Sequence, residues 1–178
     1  FRHNLADLQA QIAANEKGVL ELRKMVSHFG LDVVHAYMQH VQDNAEECVR
    51  RILHVLKDCS FVQETDYGGK SWVDIKVDND KREAIIDFTG TSPQQSNNFN
   101  APSSVCMAAV IYVFRLLVDE DIPLNGGCLK PLNVIIPEGC LLAPSYPAAV
   151  VAGNVETSQT VTNAITGALG IMGASQGT

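Results

Sequence analysis

Residues 72–88 read WVDIKVDNDKREAIIDF, and their apolar positions fall on alternate residues. Val73, Ile75 and Val77 share one face of a first run, and Ala84, Ile86 and Phe88 share one face of a second. Asp78-Asn79-Asp80-Lys81 between them has turn chemistry, so the stretch predicts a β-hairpin with one buried face. Everything before it follows a different period. From Leu5 the apolar residues recur three and four apart through Leu8, Ile12, Val19, Leu22, Val26 and Phe29, with Asn15 in the single gap. A helix is expected over 4–29, closed by Gly30, with Asp32 capping the next. Val34, Met38, Val41, Ala45, Cys48, Ile52 and Val55 repeat the spacing, so the two helices are expected to pack as an antiparallel hairpin with Asn15 in its seam. Glu46–Arg50 and Glu47–Arg51, four apart in the favourable order, suit a solvated face.

After the β-hairpin, Thr89–Asn100 (TGTSPQQSNNFN) is a polar loop. Pro102 opens a helix reaching about residue 118, apolar nearly all round and expected at the centre of the core. The Gly/Pro-rich stretch 123–154 holds a short strand at 132–136. A last helix over 157–172 places Val161, Ile165, Leu169 and Met172 on one stripe, and Gly167 and Gly170 allow a neighbour close. Helices first and strands later predict an α+β or mixed α/β fold. Residues 1–58 form the helical hairpin; residues 59–178 form a mixed α/β portion with a small sheet, a buried central helix and a C-terminal helix.

With 178 residues, 46% of them hydrophobic, the chain can bury one proper core. Its longest apolar run, 105–118, is interrupted by Arg115 and is too short to span a bilayer. A net charge of −7 with scattered basic residues argues against a general nucleic-acid binder. Five cysteines without a CxxC fit a reduced, cytoplasmic setting. The chain opens at Phe1 and stops at Gly177-Thr178, and is read as a piece of a longer protein.

Candidate chemistry lies in the loops. Asp87 sits at a strand end before Thr89, Gly90 and Thr91; it is either a catalytic carboxylate or the anchor of an Asx turn. Asn97, Asn98 and Asn100 are more amides than capping requires. Residues 153–159 pass from loop into helix, where Asn154 or Thr157 can cap and the free N–H groups can hold an anion. Asp87, Thr89 and Asn154 are candidate catalytic residues; Asn98, Asn100, Ser158 and Gln159 are candidate substrate contacts. No metal set is expected: all five histidines lie in the helical hairpin without an HExxH spacing. GxxxxGK[ST] and GxGxxG are both missing, and the cysteines read as structural.

Larger blocks carry a resemblance. NLADLQAQIAAN (4–15), HAYMQHVQDNAEECVR (35–50), DFTGTS (87–92), NFNAP (98–102), DIPLNGGCLKPLNVIIPEG (121–139), PAAVVAGNVETSQ (147–159) and ASQGT (174–178) resemble the hydantoinase B/5-oxoprolinase family. They look more like its 5-oxoprolinase and N-methylhydantoinase branch than its ketone carboxylases. The resemblance implies a share in ATP-dependent opening of a cyclic amide. A hydantoinase A-type subunit or fused domain would bind ATP, with a divalent metal in the parent complex and neither ligand on this piece. It also implies an oligomeric assembly in which this segment supplies support, an interface and substrate-side loops. A ketone carboxylase fragment, or an assembly module without catalytic residues, is the alternative.

Overall fold

The structure, a computed structural model, describes residues 2–172, with the side chains of Arg2 and His3 left aside; ASQGT at 174–178 lies outside the described residues. The chain divides into two compact units, residues 1–41 and 42–178. Helix α1 (Arg2–Phe29) ends at Gly30, whose φ of +86° is the left-handed conformation glycine adopts most easily at a helix end. Helix α2 (Leu31–Leu53) begins one residue later with Asp32 in its first turn. It runs from the first unit into the second.

The two helices are present, but the seam expected between them is not closed. Leu5, Leu8, Ile12, Val19, Leu22 and Phe29 are 42–63% exposed, and Asn15 is exposed as well. Among the described residues, the apolar face of α1 is thus left largely exposed. The second half of α2 behaves differently: Ala45, Val49 and Leu53 are fully buried.

Strands β1 (Cys59–Glu64), β2 (Lys70–Asp78), β3 (Glu83–Asp87) and β4 (Leu132–Ile135) form one sheet in the order β1-β2-β3-β4. The first three are antiparallel neighbours, and β4 pairs parallel to β3. A parallel pair needs a crossover, which helix α3 (Ser103–Leu116) supplies. Helix α4 (Ser158–Leu169) packs on β1 and β2. The expected mixture of helices and a small sheet with a β-hairpin is thus the architecture observed. Strand β1 had no sequence signal, because its burial does not alternate.

One face of the sheet carries the core. Val73, Ile75, Ile86 and Phe88 are fully buried with Val110, Val113 and Phe114 of α3 and Val161 and Ile165 of α4. Helix α3 is central but not apolar-covered all round: Tyr112 and Leu116 are half exposed. Gly167 takes the ring of Phe61 closely, since a Cβ there would lie 3.0 Å from it. Gly170, expected to do the same, instead caps α4 at φ +64°, and Met172 beyond it is exposed.

The β2–β3 turn ties α2 to the sheet. Arg50 is not on a solvated face: it pairs with Glu46 at 2.8 Å and donates to the Lys81 and Arg82 carbonyls. The Asn79 amide donates to the carbonyls of Leu53, His54 and Leu56 at 2.8–3.1 Å, satisfying acceptors that a helix end leaves open. Replacing Asn79 by Ala is expected to cost about 1–2 kcal/mol, read as a lower midpoint in urea denaturation with the slope unchanged. Burial raises the thiol pKa values of Cys48, Cys59 and Cys106. A raised thiol pKa contributes stability that is present below the unfolded-state value and lost as the pH rises through the folded one. Stability is therefore expected to fall above about pH 8.5, checked by denaturation midpoints across an alkaline series.

Candidate functional site

The loop leaving β3 is built in stages. Asp87 Oδ1 accepts the Thr89 N–H at 2.8 Å, which is an Asx turn. Gly90 at φ +104° then brings the chain flat onto Trp72. Thr91 Oγ1 accepts from Trp72 N–H and donates to the Trp72 carbonyl, while Ser92 Oγ accepts from Lys70 N–H. The first half of the loop thus rides on β2.

The second half is organised around Asn100, which is fully buried. Its Oδ1 accepts from Gln95 N–H at 2.7 Å, and its Nδ2 donates to the carbonyls of Gln95, Asn97 and Ala149 at 3.0–3.1 Å. The Ala149 bond reaches the other candidate loop. Ala152 N–H donates to the Asn98 carbonyl, and Thr157 Oγ1, fully buried, donates to the Phe99 carbonyl. A π-helical turn, Gly153–Thr157, precedes α4; such turns interrupt the α-helical ladder and recur at functional sites. Gly153 lies so close to residue 100 that a Cβ would come within 2.1 Å of the Asn100 carbonyl oxygen. The two loops singled out by sequence are therefore one knitted unit.

The individual candidates separate around it. Asn154 and Ser158 line a cleft of about 290 Å³ between α3 and α4, with Ser104, Ala108, Tyr112 and Thr162. Gln159 lines a cleft of about 490 Å³ on the other side, with Gln63, Asp66, Tyr67, Phe99 and Asn163, and its Nε2 donates to Asn163 Oδ1 at 3.0 Å. Asp87 and Thr89 border neither cleft; Thr89 and Asn98 are exposed. Asn100 has its amide taken up by its own loop and by Ala149, so it holds the wall rather than facing a cleft. Ser158 Oγ turns back to the Asn154 and Val155 carbonyls.

The helix start does not stand open to an anion. Val155 and Glu156 N–H groups donate to the Ala152 carbonyl, and Ser158 N–H donates to that of Gly153. Neither Asn154 nor Thr157 caps α4 through a side chain, because the π-turn supplies the acceptors. Tyr67 was not singled out by the sequence. Thr157 and Gly153, which lie in the 153–159 segment it did single out, act as a loop tie and a close-approach point in place of the helix-start role expected there. Only the glycine-before-amide pattern at 153–154 hinted at the close approach.

Chemically, the unit offers amide donors and acceptors without a nucleophile–base pair. Burial pushes the Cys106 thiol far up, so it is unreactive at neutral pH. Among the described residues, no three His, Cys, Asp or Glu are gathered to hold a metal ion, and the helix start beside Asn154 has its N–H groups engaged. Among the described residues, too, no helix is long and apolar enough to cross a membrane.

The wall is expected to be sensitive at its contacts. Gly153→Ala should destabilise by about 1–3 kcal/mol or more through overpacking. Thr157→Val should cost about 1–3 kcal/mol by leaving the Phe99 carbonyl buried and unpaired. Both are read in denaturant titrations, with faster amide exchange confined to residues 95–100 and 149–157.

Comparison with known proteins agrees along the whole length. The hydantoinase B/oxoprolinase family matches residues 1–178. The 5-oxoprolinase of Dictyostelium discoideum is 45% identical over 98% of the chain, and 5-oxoprolinase 1 of Arabidopsis thaliana is 46% identical over 99%. The chain spans only 14% and 15% of those two proteins. The fold is shared with the ATP-dependent caprolactamase of Pseudomonas jessenii, at a TM-score of 0.69 and 22% identity over 91% of this chain and 30% of that one. Acetone carboxylase shares it at 0.69 and 11% identity, over 83% of this chain and 22% of that one. Every block that carried the resemblance lies inside the matched length, and the chain belongs to the hydantoinase B/oxoprolinase family.

Proposed function

We propose that this chain is the segment of an ATP-dependent cyclic-amide hydrolase that builds one wall of its lactam site. The carrying observation is the knitting of residues 94–100 to 149–157 through Asn100, Gly153 and Thr157. An unstrained lactam is a poor electrophile, and ATP-dependent phosphorylation of its oxygen turns that oxygen into a leaving group. ATP and a divalent metal belong to a hydantoinase A-type subunit or fused domain and to other parts of the parent, in a cytoplasmic assembly.

This chain's own share is to bind and orient. Asn154, in the cleft between α3 and α4, presents an amide suited to the C=O or N–H of a lactam. Asn98, which is exposed, and Gln159, in the other cleft, offer further polar contacts, while Asn100 and Ser158 keep the loop and the helix start in shape. Asp87 holds Thr89 at the loop entrance and is the candidate catalytic carboxylate. The 5-oxoprolinases among the relatives favour a lactam such as 5-oxoproline or N-methylhydantoin over a ketone; a related ketone carboxylase is the competing outcome.

The test uses the full-length parent with its ATP-binding partner. Phosphate release and ring opening are followed together on 5-oxoproline, N-methylhydantoin and hydantoin, and on a ketone with bicarbonate. Coupled ring opening of one lactam is expected; ATP turnover only with ketone and bicarbonate would establish the carboxylase instead. In the same enzyme, Asp87→Asn retains an acceptor for Thr89 N–H while removing the charge. It and Asn154→Ala are expected to lower turnover about tenfold or more with melting temperature little changed; a loss of folding without a kinetic effect would refute both assignments.

The exposed apolar face of α1 favours a second, compatible role in assembly. Leu8 and Ile12 are 56% and 63% exposed and stand outside the buried core cluster, so Leu8→Glu and Ile12→Glu leave that core intact. They are expected to release the ATP-binding partner in size-exclusion chromatography while the chain stays folded; an intact complex would rule that role out.

A further inference from the structure

The turn between β1 and β2 is more elaborately built than a hairpin connection needs. Thr65 Oγ1 accepts the Gly69 N–H at 2.9 Å and donates to the Gly69 carbonyl at 2.8 Å. Thr65 N–H also donates to that carbonyl, and Gly68 adopts φ +84°. Gly69 is buried, and a Cβ there would lie 3.2 Å from both Thr65 Oγ1 and the Tyr67 ring. These contacts hold one side chain in place: Tyr67 stacks on Phe99, with ring centroids 4.2 Å apart and planes within 5°.

Phe99 lies between Asn98 and Asn100, and its carbonyl accepts from Thr157 Oγ1. The loop is therefore held by hydrogen bonds on its backbone and by one aromatic face on its side chain. Tyr67 Oη is buried and has no hydrogen-bond partner among the described residues. A buried unpaired hydroxyl is unfavourable, so among the described residues the ring, and not the hydroxyl, does the holding.

We propose that Tyr67 is a positioning residue: through its stack on Phe99 it sets the position of residues 95–100, and so of Asn98, against the substrate. The inference rests on the lactam-site reading above and extends it to a residue on another strand connection. Small displacements of a positioned group cost rate steeply, so the stack governs catalysis without Tyr67 touching the reacting atoms.

The experiment compares Tyr67→Phe, Tyr67→Leu and Tyr67→Ala in the full-length enzyme with its ATP-binding partner, using whichever ATP-coupled substrate the wild type turns over. Two readouts are taken: kcat and KM separately, and amide exchange of residues 95–100. Tyr67→Phe is expected to match wild type in both. Tyr67→Leu and Tyr67→Ala are expected to speed exchange in that loop and lower kcat/KM by about tenfold or more, with the global denaturation midpoint moved little. Unchanged exchange in Tyr67→Leu and Tyr67→Ala would overturn the positioning role whatever the substrate proves to be. Faster exchange with unchanged kinetics would overturn the link to catalysis. Tyr67→Phe as impaired as Tyr67→Ala would show that the hydroxyl donates to a group beyond these residues, which also overturns a role carried by the ring. If Tyr67→Ala does not fold, Tyr67→Leu carries the comparison. A wild type active only on ketone and bicarbonate would remove the lactam reading while leaving the exchange result to decide the stack.

Discussion

The buried side chain of Asn100 is the interaction on which the rest of the candidate site depends. Its carboxamide replaces backbone partners that an irregular loop cannot supply for itself. A loop packed inward needs such a device, because buried backbone groups without partners are costly. Asparagine is suited to it, with an acceptor and two donors on one short planar group. Because one donor also reaches Ala149, the same group fixes the loop internally and fastens it to a segment nearly fifty residues away. Gly153 follows from that fastening, since the approach leaves no room for a side chain.

This arrangement explains why the site is made of secondary-structure exceptions. The sheet and helices form a conventional core of alternating and helical apolar faces. The irregular segments lie on its rim, where a π-turn, an Asx turn and an aromatic stack replace regular pairing. Rigid elements thus carry loops whose shape is set by side-chain hydrogen bonds, which is how binding surfaces are commonly positioned.

The parts that obey strong periodicity were legible in the sequence: the two N-terminal helices, the β2–β3 hairpin, α3, β4 and α4. Strand β1 was not, because its residues are half-buried without alternation and it is defined by pairing to β2. The fate of the heptad faces was not legible either. Ala45 and Cys48 bury in the core while Leu8 and Ile12 remain exposed, and nothing in a heptad pattern says which partner will cover it. At the candidate site, the sequence singled out two loops that the structure joins, because polar, glycine-rich stretches beside helix starts are unusual. It could not tell holders from presenters. Asn98 and Asn100 are two residues apart in the same motif, yet one is exposed and the other saturated, a difference that depends on Ala149 and Gln95 approaching in three dimensions.

The parallel pairing of β3 with β4 bears on how the molecule is made. The hairpins β1–β2 and β2–β3 join residues close in sequence and can form early, whereas β4 meets β3 only after the whole of α3 has been laid across the sheet. Contacts between distant residues form slowly because chain closure must precede them. The knitted wall spans that same gap, from residues 95–100 to 149–157, so it matures with the last closure. During synthesis, then, the three antiparallel strands precede both β4 and the wall, and refolded protein regains its hairpins before the two loops are joined.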